Sequence, residues 1–192
     1  MARPRKFDEA QVLESAMDVF WRKGYAATTP QDLVDELGLG KGSLYNAFGG
    51  KRALFERALG RYADTQAVRL TDLLDAGGPV KARIRDALHL LLELDFTDPD
   101  RRGCMAVNTA TELASSDPEA AEAVRRMFAR TEAAFVAALQ EAQRAGEIDP
   151  ARDVRALASL LLATVIGMRV LAKTADGRAQ VERVVDGLLD TL

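Results

Sequence analysis

One cysteine and one histidine in 192 residues exclude two architectures at once. A disulfide framework needs paired cysteines, and a structural zinc site needs about four nitrogen or sulfur ligands. Cys104 and His89 supply neither. The lack of disulfides suits a reducing compartment. Aromatic residues make up only 6% of the chain, and 14 Val and 3 Ile stand against 33 Ala and 25 Leu, a balance that favours helix over strand. Met1 to Phe7 is basic and leads into acidic residues without an apolar stretch, which excludes a cleaved secretion signal. The longest apolar run, Ala156 to Met168, ends at Arg169 and reads as too short to span a bilayer. The expectation is a soluble cytoplasmic protein with no membrane partner. A nucleophile motif, a metal-ligand set and a glycine-rich phosphate loop are also missing, and Asp98 and Asp100 fall in a turn. Neither catalysis nor a cofactor is expected.

What is present specifies an all-α fold. The six prolines (4, 30, 79, 99, 118, 150) fall at element boundaries, where helix starts and linkers tolerate them. Nine helices are predicted: Asp8 to Lys23, Thr29 to Gly38, Gly40 to Phe48, Lys51 to Ala76, Val80 to Phe96, Gly103 to Ala114, Asp117 to Ala145, Asp153 to Lys173 and Gly177 to Thr191. Three short helices in the first 48 residues, joined by tight turns, have the arithmetic of a helix-turn-helix. Residues 1–50 are expected to form that unit and 51–192 a second helical domain.

Charge is uneven. The chain carries 26 Lys and Arg against 29 Asp and Glu, a formal net charge of −3. Yet Leu37 to Phe55 contains Lys41, Lys51 and Arg52 and no acid, and Arg3, Arg5 and Lys6 form a basic arm. A polyanion would be met there. On a helical wheel Leu44, Ala47 and Phe48 share one arc, while Lys41, Gly42, Tyr45 and Asn46 lie opposite. One reading of the outer arc is packing, with Gly42 allowing close helix approach and Tyr45 partly buried. The other is a DNA major groove. There Gly42 admits the backbone, Lys41 reaches a base edge or phosphate, and Ser43 and Tyr45 bond phosphates. Asn46 reads an adenine edge. Thr29 at a helix N-terminus and Lys51 at the next helix start would grip the backbone.

Gly24-Tyr25, Thr28-Thr29, Asp32-Leu33, Leu37-Gly38, Lys41-Gly42-Ser43-Leu44-Tyr45, Phe48 and Lys51 with Leu54-Phe55 together resemble the TetR family of bacterial transcriptional regulators. The similarity covers about residues 8–57 without gaps. It implies a nine-helix TetR-like architecture and a homodimer that binds double-stranded operator DNA of palindromic sequence, probed by Thr29, Lys41, Gly42, Ser43, Tyr45, Asn46 and Lys51. It also implies release of DNA, in most cases ending repression, when a small hydrophobic or electrophilic effector binds the second domain. Many members carry Ser or Thr in place of Gly40, and aromatic or His residues in place of Asn46-Ala47.

In the eighth and ninth helices Leu160, Leu161, Thr164, Val165, Met168, Leu171, Val184 and Leu188 recur at helical spacing. They are either core or half of a two-fold four-helix interface, and the resemblance favours the interface. Such a dimer holds two reading helices about 34–36 Å apart, one DNA turn. Phe96, Cys104, Met105, Asn108, Met127, Phe128 and Phe135 are either core residues or the lining of an effector cavity. Arg101, Arg102 and the start of the sixth helix favour a reactive thiolate at Cys104, and His89 is expected to pack between helices. The long fourth helix, running from Lys51 to beneath the second domain, is the expected lever between ligand and DNA. The rival is a helical dimer that binds ligands or scaffolds without touching an operator.

Overall fold

The computed structural model describes residues 7–192; the arm of Arg3, Arg5 and Lys6 lies outside them. The described residues form nine helices and no strand: α1 (Glu9–Lys23), α2 (Pro30–Leu37), α3 (Lys41–Phe48), α4 (Lys51–Leu74), α5 (Val80–Thr97), α6 (Met105–Leu113), α7 (Pro118–Arg144), α8 (Val154–Thr174) and α9 (Ala179–Leu189).

Local chemistry explains the boundaries. Asp8 caps α1 by accepting from the amides of Ala10 and Gln11 at 2.9 and 3.4 Å. Thr29 caps α2 in a reciprocal box with Asp32, and Pro30 takes the first turn. Gly38 and Gly49, at φ 62° and 80°, end α2 and α3 in the left-handed conformation that side chains resist. The start of α6 falls two residues later than the sequence predicts. Arg101 at φ 44° and Gly103 at φ 67° keep the chain turning, and Cys104 becomes the residue that precedes the helix.

Two apolar clusters hold the elements together. The first joins Phe20 of α1, Leu33 of α2, Leu44 and Phe48 of α3, and Leu54, Phe55 and Tyr62 of α4 to Met105 and Leu113 of α6. The second gathers Ile84, Leu88, Phe135, Leu139, Leu157, Leu161, Val181 and Val185 from α5, α7, α8 and α9. The first half of α4 belongs to one cluster and its C-terminal Leu74 to the other.

The structure corrects two readings of α8. By length and composition this helix of 21 residues, with an 18-residue stretch of mean hydropathy 1.8, is sufficient to cross a membrane, longer than the apolar run suggested. Here it packs on α5, α7 and α9, and it buries Arg169 against Asp95 of α5. Leu161 and Met168, 0% and 1% exposed, lie in the protomer's own core, as does Leu188 of α9 at 5%. Their faces turn towards neighbouring helices of the same chain, so they offer nothing to a second protomer. The outer face of α8 carries Leu160 and Val170, 42% and 46% exposed.

Candidate nucleic-acid interface and internal cavity

The short helix α3 divides as its wheel requires. Leu44 and Phe48 are buried, Ala47 is half-buried, and Lys41, Gly42, Ser43, Tyr45 and Asn46 are exposed. Tyr45 is 42% exposed, a large apolar ring to leave in water. A methyl group on Gly42 would meet no atom within 4 Å, so nothing in the protomer explains a glycine that costs about 1 kcal/mol of helix stability relative to alanine. Packing against the chain's own helices therefore fails as the reason for Gly42.

Around this face most cations are already neutralised. Arg22 pairs with Glu36 and Lys23 with Asp32, while Arg52 is held by Asp117, Glu119 and Glu56. That network raises the Arg52 pKa and holds the Asp117 carboxyl down at about 2. Lys41 has no such partner among the described residues. Lys51 sits with its ammonium 4.3 Å from the centre of the Tyr25 ring, a contact that positions the cation without cancelling its charge. Thr29 departs from expectation. Its hydroxyl accepts from the Asp32 amide at 3.1 Å and donates to the Asp32 carboxylate at 2.7 Å, so it is occupied within the α2 cap. The Asp32 pKa is held far below the usual range, chiefly by the hydrogen bond from Lys23 and then by those from Thr29.

The three-helix head is fastened to α6. Glu112 accepts from the amides of Tyr25 and Ala26 at 3.0 and 2.6 Å, in the turn before α2. Trp21 of α1 donates its indole N–H to the Gly103 carbonyl at 3.1 Å, and Arg102 lies 4.4 Å over the Trp21 ring while bridging Asp18 and Asp98.

Behind α6 lies a cavity of about 100 Å³ bounded by α4, α5, α6, α7 and α8. Of the residues predicted from sequence, Cys104, Met127, Phe128 and Phe135 line it. Three others do not. Phe96 packs under the Arg101 guanidinium at 4.9 Å. Met105, 1% exposed, points into the core beneath the head. Asn108 bonds the Arg102 carbonyl and Lys173 on another face of α6. Val165, assigned from sequence to the dimer face, lines the cavity with Leu162 and Ile166. Missed altogether were Tyr62, Gln66 and Arg69 of α4 and Leu90, Leu91 and Leu94 of α5. The spacing of Tyr62, Gln66 and Arg69 on one helical face was the available signal.

The surroundings of Cys104 also differ from expectation. Arg101 donates to the Ala172 and Ala175 carbonyls at the end of α8, and Arg102 is taken by aspartates, so neither turns to the thiol. Instead the Tyr62 hydroxyl donates to Cys104 Sγ at 3.3 Å. Burial raises the Tyr62 pKa well above its ordinary value, and the neighbouring Cys104 adds to the rise while Arg169 opposes it. Among the described residues no group of three or more His, Cys, Asp or Glu side chains is placed to hold a metal ion.

A helix-turn-helix head with an exposed, acid-free reading face, set on a helical body with a cavity, defines a DNA-binding regulator. Residues 12–58 match the bacterial regulatory proteins of the tetR family, and residues 80–188 match the tetracyclin repressor-like C-terminal domain. The chain is 34% identical to the HTH-type transcriptional regulator YezE of Bacillus subtilis over 194 residues, covering 100% of both chains. It is 32% identical to the HTH-type transcriptional repressor ComR of Escherichia coli, over 89% of this chain and 82% of that one. Among solved structures, the TetR family regulator CifR, a cysteine mutant complexed with 26-bp operator DNA, superposes with a TM-score of 0.89 at 27% identity, covering 98% of each chain. The chain belongs to the TetR family of transcriptional regulators, which bind DNA and are not enzymes.

Proposed function

We propose that the protein is a homodimeric repressor whose two heads bind a palindromic operator, and that a small hydrophobic or electrophilic effector in the cavity releases it. The observation that carries the reading is α3 itself: Lys41, Tyr45 and Asn46 stand exposed on a helix anchored from behind by Leu44 and Phe48. In this reading Lys41, Ser43, Tyr45 and Lys51 bond the DNA backbone, Gly42 lets the helix approach, and Asn46 reads a base. Thr29 contributes by shaping the start of α2. The head corresponds to residues 1–50 and the effector and dimer domain to 51–192, with the cytoplasm as the place of action.

Dimerisation is assigned to the outer face of α8 and its neighbour α9. Leu160 and Val170 are exposed there, Ala156 and Ala163 are small enough for close approach, and Thr164, Leu171 and Val184 are half-buried at its margin. Release follows from α4, which lines the cavity at Tyr62 and starts at Lys51. At 24 residues it is about 36 Å long, so a small tilt at the cavity shifts the spacing of the heads. Cys104, on the cavity wall beside Tyr62, is the point at which an electrophile would act.

The test is DNA selected from a random pool by the full-length protein, followed by binding of two variants. Tyr45→Phe should weaken all selected sequences about equally. Asn46→Ala should relax preference at one base pair per half-site, by about 1–3 kcal/mol. Wild-type binding by both variants would remove α3 as the reader. Failure of the wild type to select any sequence would favour a dimer that does not bind an operator.

A further inference from the structure

The polar groups around the cavity differ in whether they already have partners, and that difference orients a ligand. At the inner end Tyr62 donates to Cys104, and Arg169 is engaged by the Gly103 carbonyl and the Asp95 carboxylate. Thr131 of α7 donates to the Met127 carbonyl at 3.2 Å. Gln66 and Arg69 of α4 also line the cavity, yet among the described residues their side chains make no hydrogen bond or ion pair. Arg69 is exposed and Gln66 half-buried, so the pair stands at the rim. They lie three residues apart, one turn from each other on the same helical face. No Asp or Glu lines the cavity, so nothing there balances Arg69.

The other walls are apolar, with Leu91, Leu94, Val107, Phe128 and Ile166 among them. A molecule seated inside finds apolar surface within and one free cation beside one free carboxamide at the mouth. The planar guanidinium fork matches the two oxygens of a carboxylate. Size limits the apolar part, because an engineered cavity of about 150 Å³ holds benzene and this one measures about 100 Å³.

We infer that the effector is a small amphipathic carboxylate. Its apolar body, a ring or a chain of about six carbons at most, enters the cavity, and its carboxylate binds Arg69 and Gln66. The inference rests on the cavity being the effector site. It also gives the charged end of the ligand a direct hold on α4, the helix that begins at Lys51.

Titration calorimetry on the full-length protein with hexanoate and 1-hexanol separates the possibilities. Hexanoate should bind at least tenfold more tightly than hexanol. Arg69→Ala should erase that advantage and leave hexanol binding unchanged, while Arg69→Lys keeps part of it. Two blocked cavities, Val165→Phe and Leu94→Trp, should bind neither probe. Equal binding of the two probes, or no effect of Arg69→Ala on hexanoate, overturns the carboxylate assignment and leaves the cavity as effector site if the blocked variants lose both probes. No hexanoate binding by the wild type overturns it as well. Unchanged binding in both blocked variants overturns the cavity reading itself.

Discussion

Asp95 and Arg169, 3% and 5% exposed, are charges that the apolar body has to house. Their ion pair measures 3.1 Å, but Asp95 Oδ2 and Arg169 Nε lack hydrogen-bond geometry, so attraction only partly offsets desolvation. Burial raises the Asp95 pKa to about 6; Arg169 and Lys173 pull it down and Asp98 pushes it up. A carboxyl whose folded pKa exceeds its unfolded value favours the fold when protonated. Its contribution is full below the unfolded value of 3.8 and is lost as pH rises through about 6. Asp95→Asn removes that slope. Between pH 4 and pH 7 the unfolding free energy of the variant should therefore gain on the wild type by about 2 kcal/mol, as read by urea denaturation at each pH. At this scale the sequence was a partial guide. Leu44, Phe48 and Tyr45 declared their sides by helical period alone. The orientations of Asn108, Phe96 and Arg101 depend on the turn before α6, whose left-handed residues no periodicity announces.

Among the elements, α6 has the widest reach for its length. Its Glu112 satisfies two amides of the turn between α1 and α2, and the carboxylate sits so close that a methyl on Gly24 would stand 2.8 Å from Glu112 Oε2. Gly24 also holds φ at 79°, which disfavours any side chain. Glu112→Ala leaves both amides without their acceptor and should destabilise the protein by about 1–3 kcal/mol in denaturant titrations. Gly24→Ala should also destabilise it, through both the backbone and the displaced carboxylate. The helices themselves were legible because Pro30, Gly38, Gly49 and Pro118 punctuate the chain at their ends. The cavity was less so. It is assembled from five helices, and a wheel drawn for one helix cannot show which of its apolar faces meets a gap.

For the whole molecule, the proposed homodimer makes operator binding depend on the distance between two heads, and hence on the outer face of α8. An arginine at Leu160 would place a charge in the middle of that exposed apolar face, where the proposed dimer would meet. Leu160→Arg should give a monomer by light scattering at micromolar concentration, with operator affinity reduced by at least tenfold and helical content retained. The apolar periodicity of α8 left core and interface open, since a helix apolar all round does not announce which side its own chain covers; the structure shows that Leu161 and Met168 face inward and Leu160 and Val170 outward. The packing at Trp21 has a practical consequence. The chain has one tryptophan, whose ring meets the cavity-wall Tyr62 edge-on at 5.0 Å while its N–H bonds the carbonyl next to Cys104. Indole emission from unlabelled protein thus samples the seam between cavity and head, so a change of colour or intensity on adding a candidate effector would time the proposed signal as it passes.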